Sequence, residues 1–236
     1  AIPTTLDLNG PYLSISTQPE STTVNDDGTA TVTGVATATF TNNDNATNTG
    51  RVALQWHEVG VGALSNSDTV SGVDSTTLTL SNLSNPDDNG RQFFLRSDYV
   101  PSAYQSSSPV TAGTARSTGN AVNEPFDSDT ITVTVNPTIS ITSQPTDATA
   151  GQGIDATFSV TASASDDSTI SYQWTQDGTA LTDSSTVSGS RTPTLTISGS
   201  DTGTSTIGVT ISHPTAGNSP LSSDTATFTV VDLRQI

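Results

Sequence analysis

The chain has no cysteine and no lysine, and only two tryptophans and two histidines among its 236 residues. Without cysteine there is neither a disulfide nor a thiolate metal site, so the fold must hold by packing alone. No stretch approaches the ~18 consecutive apolar residues of a spanning helix, so membrane insertion of that kind is not expected. The first ten residues, AIPTTLDLNG, lack a basic segment followed by an apolar one. Together with the missing cysteine, this favours assembly inside a cell. Six arginines face 23 acidic residues, a formal net charge of −17. Such a surface repels phosphate backbones and anionic headgroups, so no nucleic acid is expected as a partner. Aromatic residues, at 5%, are too few to line a glycosidase cleft.

What fills the chain instead is alternation. Hydrophobic content is only 31%, but threonine serves as a strand residue: its branched Cβ favours the pleat and its hydroxyl keeps the outer face wet. Ile170, Tyr172 and Trp174 alternate with Ser171 and Gln173, and Asp177-Gly178 follows, the pattern of a half-buried strand entering a tight turn. Val52, Leu54 and Trp56 repeat that pattern, and Leu64 closes the segment as Leu181 closes its counterpart.

Around these two hubs the chain says everything twice. Residues 13–19 (LSISTQP) match 139–145 (ISITSQP), and 69–72 and 186–189 both read TVSG. Residues 77–80 (TLTL) match 194–197 (TLTI), and 128–135 (SDTITVTV) match 223–230 (SDTATFTV). The fold class expected is all-β, two tandem antiparallel β-sandwiches of about 100 residues each, large enough to bury their own cores. Residues 1–12 are a lead peptide, 13–135 the first domain with a long loop at 98–127, and 136–236 the second domain. Ala30, Val32, Gly34, Ala36, Ala38 and Phe40 share the inward side of one long strand; Ile154, Ala156, Phe158, Val160 and Ala162 share that of its counterpart, and polar turns at 42–50 and 165–169 lead on to the tryptophan strands. Trp56, Trp174, Phe40 and Phe158 are the expected core anchors.

The order Gln-Pro, Gly, inward strand, Gln-Trp, Asp-Gly, Ser-Gly, Leu-Thr-Leu or Leu-Thr-Ile, Asp-x-Gly resembles the immunoglobulin-like domains of bacteriophage virion proteins and bacterial surface proteins. The resemblance covers residues 13–135 and 137–232. It implies that Trp56 and Trp174 are the tryptophans of strand C, and that 88–90 and 201–203 form the corner before strand F. The family's two cysteines are absent, with Phe158 or Val160 and Val209 filling their space. The corner tyrosine is replaced by Phe93 or Phe94 in the first domain and Ile207 in the second. The function implied is a non-enzymatic structural or decoration protein of a virion surface, a capsid or tail protrusion or fibre. Its partners would be itself or other virion proteins, with a cell-surface glycan as a further ligand. The alternative is a spacer in a secreted bacterial adhesin at the cell surface.

Residues able to carry chemistry are few. His57 points outward by alternation, and His213-Pro214 reads as a strand end; two histidines without cysteine do not make a zinc site. No Gly-x-Ser-x-Gly occurs, and Ser188-Gly189-Ser190 reads as a turn, so neither catalysis nor a cofactor is expected. The carboxylates of Asp26, Asp27, Asp87 and Asp88 gather hard oxygens of the kind calcium takes, but without the twelve-residue loop spacing. Capping of their own turns is the simpler reading. The clearest difference between the repeats is the 98–127 loop, against a short 213–222 counterpart. It carries Tyr99, Tyr104, Arg116 and Phe126 among Ser, Thr, Gly and Asn, the composition of adaptable contact surfaces.

Overall fold

A computed structural model describes residues 12–41, 47–100, 116–117 and 125–232. The chain divides into two compact units, Ala1–Val135 and Asn136–Ile236. The first contains β1 (Tyr12–Thr17), β2 (Thr22–Asn25), β3 (Gly28–Thr33), β4 (Val35–Thr41), β5 (Thr47–Glu58) and β6 (Gly62–Ala63). It continues with β7 (Val70–Ser71), β8 (Thr77–Leu83), β9 (Arg91–Val100), β10 (Arg116–Ser117), β11 (Phe126–Asp127) and β12 (Ile131–Asn136). One sheet runs β10-β1-β4-β5-β9-β12-β2, with β6 beside β5 and β11 beside β9; β3-β8-β7 forms the other.

The second unit contains β13 (Ile139–Ser143), β14 (Ala148–Gly151), β15 (Asp155–Ser159), β16 (Thr161–Ala164), β17 (Ser171–Gln176) and β18 (Thr179–Ala180). It continues with β19 (Val187–Ser188), β20 (Thr194–Ser198), β21 (Gly203–Ser212), β22 (Leu221–Ser222) and β23 (Ala226–Val231). Its sheets run β14-β23-β21-β17-β18, with β22 on β21, and β15-β20-β19, with β13 paired to β16. Among the described residues there is no helix long and apolar enough to cross a membrane.

Period-2 burial places the cores. Ile131, Val133 and Val135 of β12 are buried between half-exposed threonines, and Leu78 and Leu80 of β8 do the same from the opposite sheet. Trp56 and Trp174 are each 0% exposed, one in each core. Phe158 is buried and meets Phe228 edge-on at 5.7 Å. The Phe40 side chain lies outside the described residues.

Four local expectations need correction. The strand expected through residues 30–40 is two strands: β3 pairs with β8, whereas β4 pairs with β1 and β5. The change of partner falls at Gly34, whose N–H turns to the Thr76 carbonyl at 2.8 Å; Val160 does the same toward Pro193 at 3.0 Å. Ile154 is not inward but 53% exposed, because its N–H closes a turn onto Gly151 before β15 begins. Residues 47–50, expected as turn, open β5 against β4. The 98–127 loop is shorter at both ends, since β9 runs through Asp98 and Tyr99 opposite Ala53 and Val52, and Phe126 and Asp127 pair back onto β9.

The repeated phrases prove to be one hydrogen-bonded frame built twice. Gln18 Oε1 accepts the Asp129 N–H and Gln144 Oε1 the Asp224 N–H, both at 2.9 Å, so each Gln-Pro holds the start of the closing strand. Gln55 Nε2 donates to the Trp56 and Leu64 carbonyls, as Gln173 Nε2 does to those of Trp174 and Leu181. The indole N–H of Trp56 donates to Ser75 O and that of Trp174 to Thr192 O, both at 2.9 Å. Ser128 and Ser223 hydroxyls accept the N–H of Leu95 and Val209.

The space where the family's cysteines would sit is filled differently in each unit. Cross-strand register sets Leu95 opposite Trp56 and Val209 opposite Trp174. In the first unit Gly34 lies against the larger Leu95, and in the second Val160 and the smaller Val209 are members of one buried cluster. A Cβ at Gly34 would come within 3.1 Å of the Leu95 side chain and 3.6 Å of the Trp56 ring.

Candidate contact surface

Once the shared frame is set aside, the two units differ among the described residues on one sheet face. With Trp56, Phe93 and Leu95 buried, alternation turns Gln55 and His57 of β5 and Phe94, Arg96 and Asp98 of β9 to the outside. Register places His57 opposite Phe94 and Gln55 opposite Arg96. The His57 ring stacks on Phe94 with centroids 5.1 Å apart and planes 20° from parallel. The Arg96 guanidinium carbon lies 5.5 Å from the Phe94 centroid. Its Nε and Nη2 donate to the two carboxylate oxygens of Asp127, each at 2.7 Å. Imidazole, phenyl, guanidinium and carboxylate thus form a continuous row across three strands.

The electrostatics follow from this packing. Partial burial, reinforced by the neighbouring Arg96 charge, holds the His57 pKa below its ordinary value. Burial raises that of Asp98, against the pull of Arg96. Below the row, the β5–β6 hairpin closes at Glu58 opposite Gly62 and leaves Val59 48% and Val61 74% exposed. At its base, Arg91 donates to both Glu58 oxygens at 2.8 Å and to Asp88 at 2.7 Å.

The second unit has none of this at the matching positions. Thr175 faces Gly208, Gln173 faces Thr210, and Thr210 faces Ser222. A Gln176–Ser205 hydrogen bond at 3.0 Å stands where Glu58 and Arg91 pair. Its hairpin tip is Asp177-Gly178, with Asp177 Oδ1 accepting the Thr206 N–H at 2.8 Å.

Of the contact residues expected from sequence, Tyr104 lies outside the described residues, as do the side chains of Tyr99 and Arg116. Phe126 is half-buried opposite the fully buried Ser97, whose hydroxyl donates to the Phe126 carbonyl at 2.9 Å, so it stands in the inward row. As contact residues Phe94, Arg96 and Asp127 do not stand out in the sequence, where Phe94 reads only as a replacement for the corner tyrosine. Strand parity combined with the repeat alignment would have found them, since the matching Gly208, Thr210 and Ser222 are small.

The acidic turns act on backbone, both within a turn, where Asp88 accepts the Ser84 N–H at 2.9 Å, and between turns. Asp26 Oδ1 accepts the Asn85 N–H at 2.8 Å, tying the two turns together. Burial alone would raise the Asp88 pKa, but hydrogen bonds from Ser84 and Arg91 outweigh it and hold the carboxyl below the usual range. Among the described residues no three acidic or histidine side chains gather as a metal-holding group.

Ser168, His213 and Asp166 do meet, with the wrong polarity for a nucleophile. His213 Nδ1 accepts the Ala216 and Thr215 N–H groups at 2.9 and 3.2 Å, which puts the imidazole proton on Nε2. Nε2 then donates to Ser168 Oγ, and Ser168 donates to Asp166, both at 2.5 Å. A catalytic serine must instead give its proton to the imidazole. His213 is 7% exposed and ties two loops together.

No family model matches the chain, and no curated protein matches it. Among solved structures, Drosophila OTK extracellular domains 3–5 align over 93% of this chain with a TM-score of 0.57 and 16% identity. The fold is immunoglobulin-like. This chain spans 62% of the OTK fragment. The Ig1-2 module of Drosophila DLAR aligns over 93% of this chain and 99% of its own, with 12% identity and a TM-score of 0.35. The I67–I69 fragment of titin aligns over 92% and 65%, with 14% identity and a TM-score of 0.46. At 16% identity the likeness to OTK establishes the tandem immunoglobulin-like fold alone.

Proposed function

We propose that this chain is a non-enzymatic structural module that decorates the surface of a virus particle, its first unit docking and its second projecting. The observation that carries the reading is the contrast between the units. Their hydrogen-bonded frames are alike, whereas aromatic, apolar and ion-paired side chains gather on one outer face of the first. A spacer needs only the frame, and a docking unit needs a distinct surface on top of it. The acidic composition supports the same reading, because like charge keeps densely displayed domains from sticking non-specifically.

Purified particles test the proposal. The chain should co-purify with them in a fixed copy number, matching capsomers for decoration or a few per particle for a tail fibre. A chain absent from particles but present on a bacterial surface would overturn the virion reading in favour of an adhesin spacer.

A further inference from the structure

We infer that the outer face of β5, β9 and β11 in the first unit takes a lysine- or arginine-bearing surface of a different protein, with Asp98 as the residue that meets the incoming cation. The inference rests on reading this face as the contact surface of a structural module, and it names the partner's chemistry.

Parity and register leave the face with an excess of negative charge. Among the described side chains, Asp98 and Asp127 share it with one arginine, Arg96, whose guanidinium is committed to Asp127 through two hydrogen bonds of 2.7 Å. His57, the other titratable group of the row, is held toward its neutral form by burial and by Arg96, so it adds little positive charge at neutral pH. Asp98 is half-buried, yet among the described residues it accepts no hydrogen bond and makes no ion pair. Register puts it opposite Ala53, whose side chain has nothing to donate. The carboxylate is thus partly withdrawn from water without a donor in return, and burial raises its pKa despite the nearby Arg96. A cation arriving from outside supplies the missing partner, and the contact gains strength where water is partly excluded. The second unit carries Ser212 opposite Ser171 at the matching pair, so the carboxylate belongs to the first unit alone.

Charge also says whose cation it is. The chain has no lysine and a net charge of −17, so a second copy brings the same excess of carboxylates, and a nucleic acid brings phosphates. A sugar fits less well, because His57 and the Arg96 guanidinium already lie against the Phe94 ring that a pyranose would stack on.

Two experiments separate this chemistry from the virion reading. In an amide NMR titration of the isolated chain with tetra-arginine amide, shifts should be largest on β9 and β11 around Asp98 and Asp127, and Asp98→Asn should remove them. Asp68→Asn, an equal change of charge at an exposed position of the same unit, should leave them in place. With particles stripped of the chain as the second probe, rebinding should weaken about tenfold on Asp98→Asn. It should also loosen as salt rises from about 0.1 to about 1 M and the Debye length falls from about 10 to about 3 Å. Asp98→Asn removes a half-buried charge that has no partner, so the unfolding midpoint should not drop and lost binding is not lost folding. Peptide shifts spread evenly over the acidic surface, or rebinding indifferent to salt and to Asp98→Asn, would overturn the inference and leave the virion reading standing. A chain that takes the peptide at Asp98 but never binds particles upholds the inference and removes the virion.

Discussion

At the scale of single residues, the tryptophans show how one design tolerates two packings. Gly34 with Leu95 and Val160 with Val209 divide similar space unequally, so the positions should be coupled within each unit. Gly34→Val should destabilise the first unit by about 1–3 kcal/mol, since its branches would run into the Leu95 side chain. Adding Leu95→Val should recover much of that loss in a denaturant-melt double-mutant cycle; simple additivity would contradict the pairing. His57 offers a second check. Because the fold depresses its pKa, the neutral ring is favoured, and its contribution to stability is full above about pH 6.5 and is lost as pH falls through the folded value. An NMR titration should therefore place its midpoint below about 6.5, and a midpoint above that value would show that the carboxylates, not burial and Arg96, dominate.

At the scale of elements, the turns carry as much of the specification as the strands. Gly72 and Gly189 sit at φ values of 76° and 75°, and a Cβ there would lie 2.1 Å from Thr77 O and 2.2 Å from Thr194 O. Gly189→Ala should thus destabilise the second unit by more than the roughly 1 kcal/mol of an ordinary glycine replacement, read as a lowered urea midpoint. The repeated TVSG was legible as a repeat, and its purpose is this turn, which brings Ser75 and Thr192 carbonyls to the two indoles. Strand alternation around Ile170–Trp174 and Val52–Trp56 was legible for the same reason: one buried face imposes period 2. The change of sheet at Gly34 and Val160 was not, because parity continues unbroken across it and only the hydrogen-bond partner changes. Ile154 misled because a turn residue can share the parity of the strand that follows. The contact row was not legible either, because Phe94, Arg96 and Asp127 come together only through register.

At the scale of the whole molecule, duplication acts as an internal control. Whatever both units share, from Gln18 and Gln144 to Ser128 and Ser223, serves the sandwich; what only one unit has is free to serve something else. The most direct measurement replaces the three polar members of the row with the residues that the second unit carries there, His57→Thr, Arg96→Thr and Asp127→Ser together. The triple variant should keep its far-UV circular dichroism and cooperative unfolding while losing attachment to particles. Unfolding of the first unit, or undiminished attachment by a folded variant, would contradict the division between shared frame and distinct face.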